Sequence, residues 1–200
     1  MAQKIIQQGA EAIIKLVDNE IIKERVSKGY RLVELDDKLR LRRTRGEGKI
    51  IGKLKGVIDV PEIINVDENE KKIVMEFIDG KKLSEELENL DWKIVCKKIG
   101  ENIGKLHNKD IVHGDLTTSN MILKDNKVYF IDFGLGFHSY KIEDKAVDLH
   151  LLKQALEAKH YKIAEEAFRI IIKNYGAERG EEIVKRIDII ESRGRYKEKH

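Results

Sequence analysis

Asp115 and Asn120 stand five residues apart in Ile111-Val112-His113-Gly114-Asp115-Leu116-Thr117-Thr118-Ser119-Asn120, and Asp132 opens an Asp132-Phe133-Gly134 triplet twelve residues after Asn120. A carboxylate, a carboxamide and a second carboxylate before Phe-Gly, in that order, form the residue set that phosphoryl transfer uses. The reaction asks for little covalent chemistry. It needs one carboxylate near the accepting hydroxyl and oxygen ligands that hold magnesium against the phosphates. Magnesium takes carboxylate and amide oxygens and keeps several waters, so Asn120 and Asp132 are the expected metal pair and Asp115 the catalytic group.

These groups must be brought together by the segments around them. Met121-Ile122-Leu123 and Val128-Tyr129-Phe130-Ile131 are apolar runs with Lys124-Asp125-Asn126-Lys127 as the turn between them. Loop, strand, turn, strand, loop would carry Asp115 and Asp132 to one end of a hairpin. Upstream, Ile5-Ile6, Ile13 to Val17 and Glu20 to Lys23 read as strands, broken by Gly9 and Asp18-Asn19. Asp36 to Leu54 reads as a long charged helix with apolar contacts at Leu39, Ile50, Ile51 and Leu54. Ile58 to Val66 and Lys72 to Phe77 read as two further strands, and Asp79-Gly80 as the junction of two lobes. Ser84 and Asp91 are candidate helix N-caps. Trp92, Val95, Ile99, Ile103 and Leu106 step by three or four along one helix face ending near Asn108. Val147 to Ala158, Tyr161 to Asn174 and Ala177 to Ser192 show the same period, with Gly176 and Gly180 as punctuation. A strand-rich half therefore precedes a helix-rich half, with the chemistry at the seam.

A cation must also meet the phosphates, held by an acid on the long helix. Lys23, at the end of the third strand, and Glu47, twenty-four residues later, are the candidates. The phosphate-covering loop is Gln7-Gln8-Gly9-Ala10-Glu11-Ala12, where backbone amides at Gly9, Ala10 and Glu11 approach the nucleotide. Met75-Glu76-Phe77-Ile78 is the connecting strand, offering backbone groups of Glu76 and Ile78 to adenine. Gly114 precedes the aspartate where many phosphotransferring loops carry an arginine, so no cation is available there to clamp a loop phosphate. Fifteen residues separate Asp132 from Asp148 and contain no Ala-Pro-Glu, which leaves no room for a long activation segment. Asp148 is expected to accept backbone amides of the catalytic loop, and His113 to be a hydrogen-bonding scaffold rather than a base. No histidine pairing indicates zinc.

Two hundred residues, 38% charged and 41% apolar, suffice for one domain or two small lobes sharing a cleft. A net charge of +3 excludes a polycation, so nucleic-acid contact must rest on local clusters. Arg40, Arg42, Arg43 and Arg45 form one candidate patch, and Arg193, Arg195, Lys197 and Lys199 another. Cys96, the single cysteine, permits no internal disulfide and falls among apolar helix positions, as a small packing residue in a reducing cytosol would. Met1 to Val17 lacks the apolar core of a signal peptide. No run reaches the ~20 apolar residues of a membrane span, so a cytoplasmic location without a membrane partner is expected.

The chain resembles the small atypical Ser/Thr kinases of the KEOPS complex, the PRPK family of archaea and eukaryotes, along nearly its whole length. The resemblance is carried by Gln8-Gly9-Ala10-Glu11-Ala12, Ile22-Lys23-Glu24-Arg25, Lys28-Gly29-Tyr30-Arg31, Arg43-Thr44-Arg45-Gly46-Glu47 and Thr117-Thr118-Ser119-Asn120-Met121. It continues in Ile131-Asp132-Phe133-Gly134-Leu135, Glu143 to Leu149 and the basic Ser192-Arg193-Gly194-Arg195-Tyr196-Lys197. RIO-type kinases and aminoglycoside phosphotransferases carry similar His-Gly-Asp loops but differ after the aspartate. The resemblance implies a reduced bilobal protein-kinase-like α+β fold, with an N-lobe over 1–79, a C-lobe over 80–191 and a basic tail over 192–200. It implies use of ATP and Mg2+, with kinase or ATPase activity supporting threonylcarbamoylation of the adenosine beside the tRNA anticodon. The partners implied are the threonylcarbamoyl-transferase subunit, a small subunit on the N-lobe, and tRNA through the complex. By match, Lys23 and Glu47 pair, Asp115 is catalytic, and Asn120 and Asp132 hold metal. A kinase-shaped scaffold and a small-molecule phosphotransferase are the rival readings.

Overall fold

The computed structural model describes residues 4–9 and 11–197, with the side chains of 194–197 outside the description. Three strands open the chain, β1 (Lys4–Gln8), β2 (Ala12–Val17) and β3 (Glu20–Arg25), followed by the helix α1 (Val33–Leu54) and the strands β4 (Ile63–Asp67) and β5 (Lys72–Glu76). They form one antiparallel sheet in the order β1-β2-β3-β5-β4. The β2–β3 hairpin turns on Asp18 and Asn19, both at positive φ. Two such residues give the turn a twist that matches its strands, and Asp and Asn are the side chains that tolerate it best after glycine. β5 pairs with β3 across forty-six intervening residues of chain, Lys23 lying opposite Ile73.

α1 begins three residues earlier than its charge pattern predicts. Ile50, Ile51 and Leu54 are buried as expected, but Leu39 is only half-buried. The first half of the helix is held instead by polar groups, with Asp36, Thr44 and Glu47 buried. The expected strand over Ile58 to Val66 is also shorter, starting at Ile63. Gly56 at φ +79° turns the chain, Lys55 bridges Ile58, and Phe130 N donates to the Asp59 carbonyl. Residues 55–62 are thus a loop running across to the other lobe.

The second half holds β6 (Lys81–Lys82), α2 (Leu83–Glu86), α3 (Trp92–Asn108), β7 (Ile111–Val112), β8 (Met121–Lys124), β9 (Lys127–Phe130), β10 (Phe137–His138), α4 (Ile142–Lys159), α5 (Ala164–Lys173) and α6 (Gly180–Lys197). Asp91 caps α3, accepting from Ile94 N. Ser84 does not cap α2. Pairing of Lys82 with Ile122 keeps the chain extended to residue 82, so Ser84 is already the second helical residue. α6 continues past Ser192, where a tail is expected, to Lys197. Val95, Ile99, Ile103 and Leu106 of α3 enter one cluster with Leu116, Phe130, Leu149, Leu152, Leu156 and Ile171. Ile50, Ile51 and Leu54 join the same cluster, so the end of α1 is anchored in the helical lobe. Cys96 lies wholly inside it, its thiol pushed up to about 12 by burial.

Candidate active site

The β8–β9 hairpin turns on Asp125 and Asn126, again a pair at positive φ, and leaves residues 111–120 and 131–136 side by side. His113 holds the two together. Its Nε2 donates to the Ile131 carbonyl at 3.1 Å and its Nδ1 accepts from Asp115 N at 3.3 Å. Both ring nitrogens are thereby used within the buried scaffold. Asp115 itself is exposed, and the Asn120 side-chain amide donates to both its carbonyl and its carboxylate, each at 2.9 Å. That pair of bonds leaves Asn120 Oδ1 as the free ligand atom of the side chain.

Gly114 has φ +79°, and a Cβ there would stand 2.4 Å from the Leu135 carbonyl oxygen. An arginine could not occupy this position without displacing the chain that follows Asp132. Asp148, fully buried on α4, accepts His113 N at 2.7 Å and Gly114 N at 2.9 Å. Its Oδ2 also receives His107 Nε2 at 3.3 Å, and His107 Nδ1 accepts the Tyr175 hydroxyl at 2.6 Å. His107 and Tyr175 lie outside the sequence motifs. A histidine and a tyrosine sixty-eight residues apart carry no local signal of their meeting.

Asp132 sits at φ +61°. Its Oδ1 accepts Lys23 Nζ at 2.7 Å and Gly134 N at 3.2 Å. Burial alone would raise its carboxyl, but the Lys23 charge and these hydrogen bonds outweigh burial and hold it below the ordinary value. For Lys23, burial works toward a lower value and is outweighed by Glu47 and Asp132, so its ammonium is held above the ordinary lysine range. Lys23 Nζ lies 2.8 Å from Glu47 Oε1, as the spacing of strand and helix leads one to expect. Glu47 carries a second cation to which the sequence motifs assign no role: Arg25 Nη2 lies 2.6 Å from its Oε2. The signal is present in Lys23-Glu24-Arg25, since residues two apart on a strand share a face. Glu24, on the opposite face, pairs with Lys15 at 2.7 Å.

Two connected recesses lie between the lobes. One, about 250 Å³, is walled by Ile14, Ile21 and Met75 above and by Ile122 and Ile131 below, with Glu76, Ile78, Lys23, Asn120 and Asp132 along its edge. Glu76 N donates to the Glu62 carbonyl at 2.9 Å, and Glu76 pairs with Glu20 at the end of the β3–β5 ladder. The second, about 320 Å³, is lined by Gly9, Glu11, Lys23, Arg25, Asp115, Asp132 and Gly134. The Glu11 carboxylate is held by Arg31 and Arg43, at 3.1 and 2.7 Å, so only its backbone remains for phosphates. Ala10 lies outside the described residues.

The expected cationic patch on α1 is largely neutralised: Arg40 is bound to Asp36, Arg43 to Glu11 and Arg45 to Glu68. Arg193 pairs with Glu143 at 2.8 Å. The side chains of Arg195, Tyr196 and Lys197, and all of Lys199, lie outside the described residues. Among the described residues no cluster of three or more metal-ligating His, Cys, Asp or Glu appears, and no helix is long and apolar enough to cross a membrane.

Residues 23–141 match the RIO domain family. The chain is 47% identical to the KEOPS complex subunit Bud32 of Pyrococcus abyssi, over 98% of this chain and 97% of that one. It is 46% identical to a probable bifunctional tRNA threonylcarbamoyladenosine biosynthesis protein of Methanothermobacter thermautotrophicus, over 88% of this chain but only 33% of the relative. It thus spans almost all of the first relative and about a third of the second. The fold is that of the kinase-like proteins. The ternary complex of APH(2'')-IIa with streptomycin and ATP superposes with a TM-score of 0.64 at 14% identity, covering 96% of this chain and 82% of that one. The Rio2 kinase–ADP/Mg2+–phosphoaspartate complex of Chaetomium thermophilum superposes at 0.61 and 16% identity, covering 91% and 64%. The RIO match runs across the residues after Asp115, where sequence alone set RIO-type kinases apart, so that difference is no family boundary.

Proposed function

The chain belongs to the RIO-domain family, in its Bud32 line, and from that premise we propose that it is an ATP-dependent phosphotransferase, a serine/threonine kinase with ATPase activity, serving as the kinase subunit of a KEOPS assembly. The observation that carries the catalytic half is the convergence of Asp115, Asn120, Asp132 and Lys23 on one cleft. Asp115, exposed and held by Asn120, orients the attacking hydroxyl or water and takes its proton. The ionised Asp132 carboxylate and Asn120 Oδ1 are hard oxygen donors that fit magnesium and would hold it. When bound, the ion offsets charge developing on the transferred phosphoryl group. Lys23 places a fixed positive charge on the phosphates. The backbone at Gly9 and Glu11 covers them, but the Gly9 amide expected to reach the nucleotide donates instead to the Ala12 carbonyl at 3.0 Å. Apolar side chains sandwich adenine, while Glu76 and Ile78 offer it backbone groups.

The relatives' names support the coarser biological half, membership of a KEOPS complex and a part in tRNA threonylcarbamoyladenosine biosynthesis. Within that role our reading gives it the threonylcarbamoyl-transferase subunit, a small N-lobe-binding subunit and tRNA as partners, in the cytoplasm. That the chain spans about a third of a bifunctional relative supports a partner activity acting beside it. The short segment between Asp132 and α4 supports independence from loop phosphorylation, because β10 pairs at once with β7 and Ser139 N donates to the Asp110 carbonyl.

The test follows the terminal phosphate of labelled MgATP with the protein alone, with transferase and with tRNA. Turnover lost in both Asp115→Ala and Asp132→Ala supports phosphoryl transfer, and free phosphate against labelled protein separates ATPase from kinase. Nucleotide binding without turnover in every mixture would leave a kinase-shaped scaffold.

A further inference from the structure

Arg25 follows Lys23 by two residues on β3, and both side chains end on Glu47, Lys23 on Oε1 at 2.8 Å and Arg25 on Oε2 at 2.6 Å. The Glu47 side chain is fully buried and that of Arg25 is 4% exposed. Each carboxylate oxygen therefore has its own cation. Lys23 also holds Asp132 Oδ1 at 2.7 Å, and Arg25 lines the same recess as Lys23, Asp115 and Asp132. On its far side the guanidinium abuts the loop after Asp132, since a Cβ on Gly134 would stand 2.9 Å from Arg25 Nη2. Arg25 Nε is buried without a partner among the described residues. Such an orphaned donor is costly, while Nη2 at the other end of the guanidinium is held by Glu47 Oε2.

The charges of Lys23, Arg25, Glu47 and Asp132 sum to zero. Without Arg25 a single ammonium would balance two carboxylates, one of them wholly desolvated. A buried carboxylate with a bare oxygen would draw Lys23 onto both of its oxygens. With Arg25 on Oε2, Lys23 gives Glu47 one hydrogen bond and keeps its other donors for the cleft, an ammonium having three. We propose that Arg25 is a positioning residue of the phosphoryl-transfer site: by occupying one oxygen of Glu47 it frees Lys23 to serve the nucleotide phosphates. This rests on the ATP-dependent reading above and names the residue that sets the working position of its lysine.

The experiment measures equilibrium binding of ATP and of adenosine to the full chain, with circular dichroism as a check on folding. In Arg25→Met, ATP affinity should fall about tenfold, the worth of one charge-assisted hydrogen bond, while adenosine affinity changes less than about twofold. Arg25→Lys, which restores a cation on Glu47, should recover most of the ATP preference. With Glu47→Gln the carboxylate charge is gone, so adding Arg25→Met should change ATP affinity by less than about twofold. This last pair decides the matter should Arg25→Met alone fail to fold. Equal loss of ATP and adenosine binding would make Arg25 merely structural and overturn the proposal, as would no loss of either. A further tenfold loss of ATP in the double variant would mean that Arg25 touches phosphate itself, which also overturns it. A wild-type chain that binds neither ligand would sink the ATP-dependent reading and this proposal with it. Wild-type binding with an unchanged ratio in Arg25→Met would sink only the latter.

Discussion

Replacing Asp148 by alanine should uncouple the catalytic loop from the helical lobe. The carboxylate is fully buried and accepts His113 N at 2.7 Å, Gly114 N at 2.9 Å and His107 Nε2 at 3.3 Å. Its removal strands two backbone donors and one ring donor. Each orphaned donor costs about 1–3 kcal/mol, the higher figure applying where the missing acceptor was charged. Loss of a buried charge gives back part of that sum, because a desolvated carboxylate is itself unfavourable. The net expectation is a loss of about 3–4 kcal/mol, taking the backbone donors near the middle of their range. In a chain of this size that lowers the melting temperature by roughly 6–16 °C. Asp148→Asn should cost less, about 2–3 kcal/mol, since one oxygen still accepts while the amide nitrogen confronts a donor. Urea unfolding of the three proteins at neutral pH reads both numbers, and turnover of MgATP by the folded variants reads the displacement of Asp115. An Asp148→Ala protein within about 1 kcal/mol of wild type would refute the accounting, because it would mean that the loop amides find other acceptors without cost.

Gly114→Ala combines a left-handed backbone with a Cβ 2.4 Å from the Leu135 carbonyl, and should lower stability by about 2–4 kcal/mol in the same urea assay. The Lys23–Asp132 pair predicts a definite pH response. Asp132 is depressed in the folded state, so its contribution is complete above the unfolded carboxyl pKa of about 3.9 and is lost as pH falls below that. Lys23 is raised, so its contribution is complete below about 10.4 and is lost as pH rises through its higher folded value. Melting temperatures between acid and neutral pH should therefore fall less steeply for Asp132→Asn than for wild type, and parallel curves would count against the pair. Cutting after Glu191 removes Arg193 with the basic residues beyond it; tRNA affinity should drop and its salt dependence flatten, the slope falling by about one for each phosphate left without its cation. A truncated protein with unchanged salt dependence would remove this segment from the tRNA interface.

Much of the site is readable in the chain because its parts are local. Asp115 and Asn120 share one short loop, Asp125-Asn126 supplies the turn behind them, and short apolar runs mark β8 and β9 on either side. The α3 face at Val95, Ile99, Ile103 and Leu106 is equally legible, since one helical period repeats over many residues. Expectations fail where a distant contact overrules a local preference. Pairing of Lys82 with Ile122 moves the start of α2 away from Ser84, and the bridge at Lys55 shortens the strand expected at Ile58. The arginines of α1 read as a free basic patch only until Glu11, Asp36 and Glu68 are seen to meet them.

By itself, the sequence determined the candidate residues for the chemistry, the order in which they occur, the hairpin that presents them and the division into a strand-rich and a helix-rich half. Each of these depends on turn geometry, side-chain period or residue type, which act between neighbours in the chain. Only the tertiary structure decided that Arg25 shares Glu47 with Lys23, that Lys23 spans 109 residues to reach Asp132, and that His107 and Tyr175 stand behind Asp148. Those partnerships arise where β3 packs beside α1 and where α3 and α4 close on the catalytic loop. A buried charge must find its counter-charge wherever packing brings one within reach, whatever its distance along the chain.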